Sequence, residues 1–135
     1  SKPDTHEAAT QVSHIMSTQL FTVSENDHAD LATSIMKWKG IHHVPVEDAS
    51  GNLCGLLTWT HMKRHQEKGY NTEDQLVGDI MTKKVATVLP DTNIEDAIRI
   101  MKRNEYGCLP VARDQHLVGI ITINDVRPYD KHEKA

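Results

Sequence analysis

Apolar positions along the chain follow a helical period and then a strand period, and this order occurs twice. Apolar residues three and four positions apart predict a helix packed on one face. These positions are Ala29, Ala32 and Met36 in the first half, and Ile94, Ala97, Ile98 and Met101 in the second. Each helix is followed by two apolar runs around a polar turn, which predict hairpins over residues 44–57 and 109–121.

Further elements complete the same order in both halves. Brief strands are predicted at residues 22–23 and 87–88, and a second helix begins near Trp59 and near Ile123. Two capping boxes predict where the first helix of each half starts, because their side chains satisfy N–H groups that the helix leaves unpaired. The boxes are Asp27-x-x-Asp30 and Thr92-x-x-Glu95. The predicted order is therefore β-α-β-β-α, twice.

The two halves are copies of one unit. At an offset of 65 residues the matches include Val12 with Val77, Ile15 with Ile80, Met16 with Met81, Met36 with Met101 and Pro45 with Pro110. One residue is then lost in the polar turn, after which Gly55 matches Gly119 and Thr58 matches Thr122. A register kept over so long a stretch indicates duplication.

The repeat and the polar stretch between its copies predict the boundaries of five segments. They are a flexible N-terminal segment at 1–11, the first repeat at 12–65, a linker at 66–76, the second repeat at 77–128 and a C-terminal tail at 129–135. The chain starts with Ser1 and polar residues, which is compatible with a piece of something longer.

Composition and charge exclude several classes of protein. Hydrophobic residues make up 38% of the chain, and the net charge is −4 without a basic stripe, so we predict no nucleic-acid partner. No apolar run approaches the roughly 20 residues that span a bilayer, so we predict no membrane insertion of this segment. Cys54 and Cys108 lie in apolar runs without a C-x-x-C motif. They predict buried free thiols in a reducing compartment, and hence a cytoplasmic protein.

The repeated motifs resemble those of CBS domains. Ile-Met-(Ser/Thr) opens each repeat, (Val/Leu)-Pro-Val lies in its middle and Gly-x-x-Thr lies near its end, and the likeness covers residues 12–127. The resemblance implies an α/β (α+β) fold of two β-α-β-β-α repeats packed through their sheets about a pseudo-twofold axis. It also implies clefts between the repeats for AMP, ADP, ATP or S-adenosylmethionine, and pairing of chains into a homodimer.

A Thr-x-x-Asp motif, Thr122 and Asp125, marks the start of the last predicted helix. A hydroxyl there can donate to a phosphate, and an ionised carboxylate can accept from the two hydroxyls of a ribose. The resemblance implies this nucleotide-binding role. The alternative is a capping box, which uses the same residue types at the same spacing.

The first repeat departs from this motif, because it keeps Thr58 but has His61 in place of the carboxylate. A neutral imidazole has one acceptor nitrogen and cannot accept from both ribose hydroxyls. We therefore predict one good cleft and one weaker cleft that has lost or changed its ligand.

The remaining site residues follow from the resemblance by position. The nucleotide-binding set of the better cleft is Thr122, Asp125, Met81, Ala86, Tyr106, Leu109 and His42. The weaker cleft is expected to contain Thr58, Met16, Phe21, Ile41 and His61, with Val44 nearby. Ordinary core packing is the alternative for the apolar members, and it is the preferred reading for Leu109 and Val44.

His42 is included because the resemblance places a basic residue before the Pro-containing strand, within reach of a phosphate held by the opposite repeat. A solvated position at a strand edge is its alternative. His61 and His65 have the spacing of a metal-binding pair on a helix, but no His-Glu-x-x-His motif or Cys cluster accompanies them. We predict no metal site, no catalytic residue and no catalytic cofactor.

The sequence thus predicts a regulatory, ligand-sensing module and not an enzyme. It would bind an adenosine-containing ligand and transmit its occupancy to an attached domain or partner. One alternative is a module that dimerises or docks without a ligand. The other is the cytosolic regulatory part of a transporter or enzyme.

Overall fold

Residues 9–131 are described by the computed structural model, and they form two compact units. Unit 1 comprises residues 9–20 and 86–131 of this range, and unit 2 comprises residues 21–85. The predicted flexible segment at 1–11 and the predicted tail at 129–135 therefore lie partly outside the described residues.

Unit 2 is built on a three-stranded sheet with the order β1-β2-β3. The strands are β1 (Val23–Ser24), β2 (His43–Glu47) and β3 (Leu53–Thr58). β2 pairs parallel with β1 and antiparallel with β3, so the predicted hairpin is present. The helices are α1 (Ala29–Lys39), α2 (Trp59–Glu67) and α3 (Val77–Ile80).

Unit 1 repeats this order around the antiparallel hairpin β4-β5. Its elements are a 3₁₀ turn (Val12–His14), α4 (Ile94–Asn104), β4 (Cys108–Arg113), β5 (His116–Thr122), α5 (Ile123–Val126) and a second 3₁₀ turn (Arg127–Tyr129). The strand predicted at 87–88 is reduced to a parallel bridge between Val88 and Val111. The predicted α+β architecture of two β-α-β-β-α repeats is confirmed.

Each unit buries its own apolar core, and the predicted helical stripes supply much of it. In unit 2 the buried stripe is Ala29, Ala32 and Met36, and in unit 1 it is Ile94, Ala97, Ile98 and Met101. These stripes pack on the strands of their own unit, in particular on Val44, Val46, Leu57, Leu109, Val111 and Ile121. Burial of these side chains away from water stabilises each unit.

Each repeat opens with a lead-in segment, residues 12–17 in the first repeat and 77–82 in the second. Each lead-in segment packs in the unit that contains the sheet of the other repeat. Val12 is completely buried in the core of unit 1, and its N–H donates to the carbonyl of Thr92 at 2.8 Å. Val77 and Ile80 are buried in the core of unit 2. The compact units therefore differ from the sequence repeats by an exchange of these two lead-in segments.

Backbone pairing fixes both lead-in segments in place. Ser17 and Ile120 exchange two N–H···O bonds of 2.9 and 3.0 Å in unit 1. Thr82 and Leu56 form the equivalent pair in unit 2, at 2.9 and 3.0 Å. Each lead-in thus adds one bridge to the edge of a hairpin, where N–H and C=O groups need partners.

The two predicted capping boxes are wrong by one residue. The N-cap of α4 is Asn93, whose side chain accepts from the N–H of Glu95 at 2.9 Å. Thr92 instead accepts from the N–H of Leu89 and closes the preceding turn. At α1 the N-cap is His28, and the carboxylate of Asp27 accepts from the N–H of Ser24. Asp, Thr and Asn favour such turns as much as caps, so spacing alone misplaced them.

A methionine from each lead-in segment lies directly on a glycine of the sheet. A Cβ added at Gly119 would overlap the side chain of Met16, and one added at Gly55 would overlap Met81. The sheet therefore needs glycine at these two positions because the thioether occupies the space of a side chain.

Replacing Gly119 with alanine is expected to destabilise the protein by about 1–3 kcal/mol, because the new methyl group overpacks against Met16. Chemical denaturation measures the change in the free energy of unfolding. The double variant Gly119→Ala with Met16→Ala should recover part of this loss, since the effects of substitutions at contacting residues on the free energy of unfolding are not additive. Equal stability of Gly119→Ala and the unmodified protein would contradict the close fit.

Candidate functional site

The Thr-x-x-Asp motif of unit 1 lies where β5 ends and α5 begins. Thr122 is the N-cap of α5, and its backbone N–H donates to Oδ2 of Asp125 at 2.9 Å. The Thr122 hydroxyl donates to the same oxygen at 3.3 Å. The capping role is therefore present, but it uses one carboxylate oxygen, and Oδ1 takes part in neither bond.

Unit 2 has the same backbone arrangement where β3 ends and α2 begins. Thr58 is the N-cap, and its hydroxyl oxygen accepts from the N–H of His61 at 3.1 Å. The first N–H of the helix is paired in the same way in both units: that of Trp59 donates to the carbonyl of His42, and that of Ile123 to the carbonyl of Gly107. The units therefore differ at this place in the side chain three residues after the cap.

That difference changes the charge at the start of the helix. The pKa of His61 is lowered, first by burial and then by the positive charges of His65, Arg64 and Lys68. A neutral imidazole with cationic neighbours thus stands in unit 2 where unit 1 has the carboxylate of Asp125. The predicted asymmetry of the two Thr-x-x-Asp positions rests on this contrast.

The two methionines of the expected lining pack in different units. Met81 packs on the core of unit 2 against Gly55. Met16 packs on the core of unit 1 against Gly119. Their places in the clefts of Thr122 and Thr58 stay predictions.

The other expected lining residues of the better cleft lie in unit 1 but in different surroundings. Ala86 is half-buried against the core. Leu109 is completely buried, in agreement with the core packing preferred for it. Tyr106 is 38% exposed and lines a groove that does not include Thr122 or Asp125.

In unit 2, Ile41 is half-buried against the core and His42 is exposed. The ring of Phe21 has the ammonium of Lys39 over it, 4.8 Å from the ring centroid. The ammonium is thus within the range of a cation–π contact with this ring, and the place of Phe21 in the weaker cleft stays a prediction. The expectation that His42 reaches a phosphate held by the other repeat stays a prediction.

A groove of about 460 Å³ in unit 1 was not foreseen from the sequence. We call it the α4–α5 groove, because residues near the end of α4 and two residues of α5, Ile123 and Val126, line it. Its lining is Ile98, Met101, Lys102, Glu105, Tyr106, Gly107, Ile123, Val126, Arg127 and Asp130. Lys102 Nζ lies 2.6 Å from Oδ2 of the buried Asp130, so an ion pair closes one side. Of the residues that line it, Tyr106 alone was among the expected site residues.

Both cysteines are free thiols, as predicted, but only Cys108 is buried and Cys54 is half-buried. Both are poor nucleophiles. Burial raises the pKa of Cys108 to about 12. Burial, followed by the negative charge of Glu25, raises the pKa of Cys54 to about 11. The thiol of Cys54 donates to a carboxylate oxygen of Glu25 at 3.7 Å. Nucleophilic chemistry needs the thiolate, which neither environment favours.

Residues 9–131 contain no group of three or more His, Cys, Asp or Glu side chains placed to hold a metal ion. His65 instead bonds the amide oxygen of Gln75 at 3.2 Å and stacks on Tyr70. Within the same range, no helix has both the length and the apolar character required to cross a membrane.

The chain belongs to the CBS domain family, whose model matches residues 12–68 and 77–131. It is thus a tandem pair of CBS domains. Among curated proteins it is 35% identical over 119 residues to a homoserine O-acetyltransferase of Methanohalobium evestigatum. That match covers 87% of this chain and 23% of the relative, so the chain spans about a quarter of that protein's length.

Two solved structures of CBS pairs carry ligands. The CBS domain pair of protein MJ0100, in complex with 5′-methylthioadenosine and S-adenosyl-L-methionine, is 26% identical with a TM-score of 0.81 and covers 89% of this chain and 98% of its own. The structure of CBSX2 in complex with AMP is 26% identical with a TM-score of 0.77, and it covers 94% of this chain and 100% of its own.

Stability should fall as the pH drops below about 6.5, the ordinary pKa of histidine. Burial and the neighbouring His42 lower the pKa of His43, and the pKa of His61 is lowered as well. The unfolded chain therefore takes up protons first, which favours unfolding as the pH falls through this range. Denaturation at pH 7.5 and 5.5 should show a smaller difference for His43→Gln. A difference between the two pH values that is the same in His43→Gln and in the unmodified protein would contradict the burial argument.

Proposed function

We propose that this CBS pair is a regulatory module that binds an adenosine-containing ligand through Thr122 and Asp125 of unit 1. The observation that carries the proposal is the geometry of Asp125, whose Oδ2 caps the helix while Oδ1 takes part in neither capping bond. The ligands in the two CBS-pair structures, AMP and the 5′-methylthioadenosine and S-adenosylmethionine pair, share an adenosine group and support this class of ligand.

The two side chains would bind different parts of the ligand, the ribose and the phosphate. Asp125 Oδ1 is an acceptor for ribose hydroxyls, and hydrogen bonds to an ionised group are stronger than neutral ones. The hydroxyl of Thr122 can turn from Asp125 to a phosphate oxygen when the ligand carries one. AMP, ADP and ATP use both contacts, whereas S-adenosylmethionine uses only the first.

Regulation requires that the ligand binds one conformation of the protein more tightly than another, and that a partner distinguishes them. The match to a quarter of a much longer acetyltransferase supports a module that works beside other domains. We propose that the occupied site biases such an attached domain or a separate partner.

Docking without a ligand is the second candidate function. It is favoured by His61, which leaves unit 2 without the carboxylate, and by the capping bonds of Asp125, which give that residue a structural role. A thermal-shift panel of AMP, ADP, ATP and S-adenosylmethionine separates the two functions. A ligand at 100 times its Kd stabilises a binding protein by about 2.7 kcal/mol, whereas a docking module shows no shift with any of them.

Asp125→Asn should weaken binding of the best adenosine ligand about ten- to a hundred-fold, because charge-assisted bonds worth roughly 1.5–3 kcal/mol are lost. The asparagine oxygen can still accept from the Thr122 N–H, so the cap and the melting temperature should be nearly kept. Titration calorimetry and a melting curve on the same variant test both points. Unchanged affinity with a lowered melting temperature would show that Asp125 only caps the helix.

The unmodified protein should bind one equivalent of ligand per chain with high affinity, since only Asp125 supplies the carboxylate. His61→Asp places a carboxylate at the start of α2 and should create or strengthen a second site. The stoichiometry from titration calorimetry measures this, with His65→Asp, one turn along the same helix, as the matched control. Two equal sites in the unmodified protein would contradict the role given to His61.

We also propose that the module forms a homodimer, because several large apolar side chains remain exposed: Leu31, Trp38, Leu89, Tyr106 and Ile123. Light scattering at tens of micromolar should give about twice the chain mass of 15.2 kDa. A mass equal to that of one chain at this concentration would contradict the dimer.

A further inference from the structure

We propose that the α4–α5 groove binds a free α-amino acid with an apolar side chain. This inference goes beyond the proposed function, because the groove does not include Thr122 or Asp125. Three observations carry it: an apolar cavity, charges of both signs on its lining, and a glutamate held in a backbone conformation that disfavours a side chain.

The cavity has the size and the apolar lining that such a ligand needs. Its volume of about 460 Å³ lies within the usual range for ligand pockets, about 300–1,000 Å³. Ile98, Met101 and Val126 belong to the buried core of unit 1 and also line the groove, and the partly exposed Tyr106 and Ile123 complete its apolar part. An apolar side chain that packs here is removed from water, which favours binding.

The charges on the lining fit a zwitterion better than a ligand with a single charge. Lys102 and Arg127 contribute positive charge, and Glu105 and Asp130 contribute negative charge. Asp130 is buried with its carboxylate 2.6 Å from Lys102 Nζ, whereas Glu105 is exposed and forms no ion pair within residues 9–131. The ammonium of an amino acid can therefore bind Glu105, and its carboxylate can accept from Lys102, whose ammonium has three donors. A ligand with one charge would instead lie beside a like charge, which is unfavourable.

Glu105 keeps its carboxylate at the groove against a backbone preference. It is the C-cap of α4 and adopts the left-handed conformation, with φ 56° and ψ 39°. The equivalent C-cap of α1 has nearly the same angles, φ 65° and ψ 34°, but there the residue is Gly40. Glycine adopts this conformation without the steric cost that a side chain incurs. Residues held in such conformations cluster at ligand-binding sites, so a glutamate where the other repeat has glycine indicates that the carboxylate is used.

The first test titrates the full chain with L-leucine, L-methionine and L-phenylalanine in a calorimeter, and at least one of them should bind saturably. For L-phenylalanine the matched probes are 2-phenylethylamine, which has only the ammonium, and 3-phenylpropionate, which has only the carboxylate. Each should bind at least about ten-fold more weakly than the amino acid, because each lacks one charge-assisted bond. Glycine, which has both charges and no apolar side chain, should also bind more weakly. No binding of the three amino acids, or equal binding of the probes with one charge, would overturn the proposal.

The second test separates binding from stability with Glu105→Gly. The melting temperature should be kept or raised, because glycine relieves the steric cost at this C-cap, while the amino acid should bind about ten- to a hundred-fold more weakly. Gln115→Gly is the matched control, since Gln115 also has a positive φ, 70°, but lies in the turn between β4 and β5, outside the groove. It should leave the affinity unchanged. An unchanged affinity in Glu105→Gly, or an equal loss in Gln115→Gly, would show that Glu105 does not bind the ligand.

Discussion

The contact of one methionine with one glycine in each unit is the constraint on which the rest of the structure depends. Met16 on Gly119 and Met81 on Gly55 hold the lead-in segments against the sheets. The glycine lies three residues before the N-cap threonine in both units, so the same strand that receives the methionine also delivers Thr122 or Thr58 to the start of a helix. A shift of this strand would move the capping threonine, and with it the carboxylate that it binds.

Most of the architecture could be predicted from the sequence because the duplication repeats the pattern of each element. The helical stripes, the hairpins and the Thr-x-x-Asp position all recur in register, and the structure has them at the predicted places. Helix caps were harder to predict, because side chains such as those of Asp27 and Thr92 accept from N–H groups of a turn as readily as from those of a helix. A spacing rule cannot separate these two uses.

The exchange of lead-in segments could not be predicted for a related reason. Both segments carry the same Val, Ile and Met positions, and both sheets offer a glycine, so the sequence gives no preference for packing within a repeat or across repeats. Leu109 shows a similar ambiguity, because strand residues next to a site and strand residues of the core have the same apolar character, and its complete burial favours the core reading.

The exchange has a consequence for how such a chain holds together. Within one repeat, the lead-in segment and the sheet do not pack on each other. Two separate repeats could bury both only by associating, and that association would depend on their concentration. Linking them in one polypeptide makes each association intramolecular, with an effective concentration in the millimolar range for short linkers. The linker between the repeats therefore frees this association from its dependence on protein concentration. Its length sets the effective concentration and so contributes to the free energy of folding.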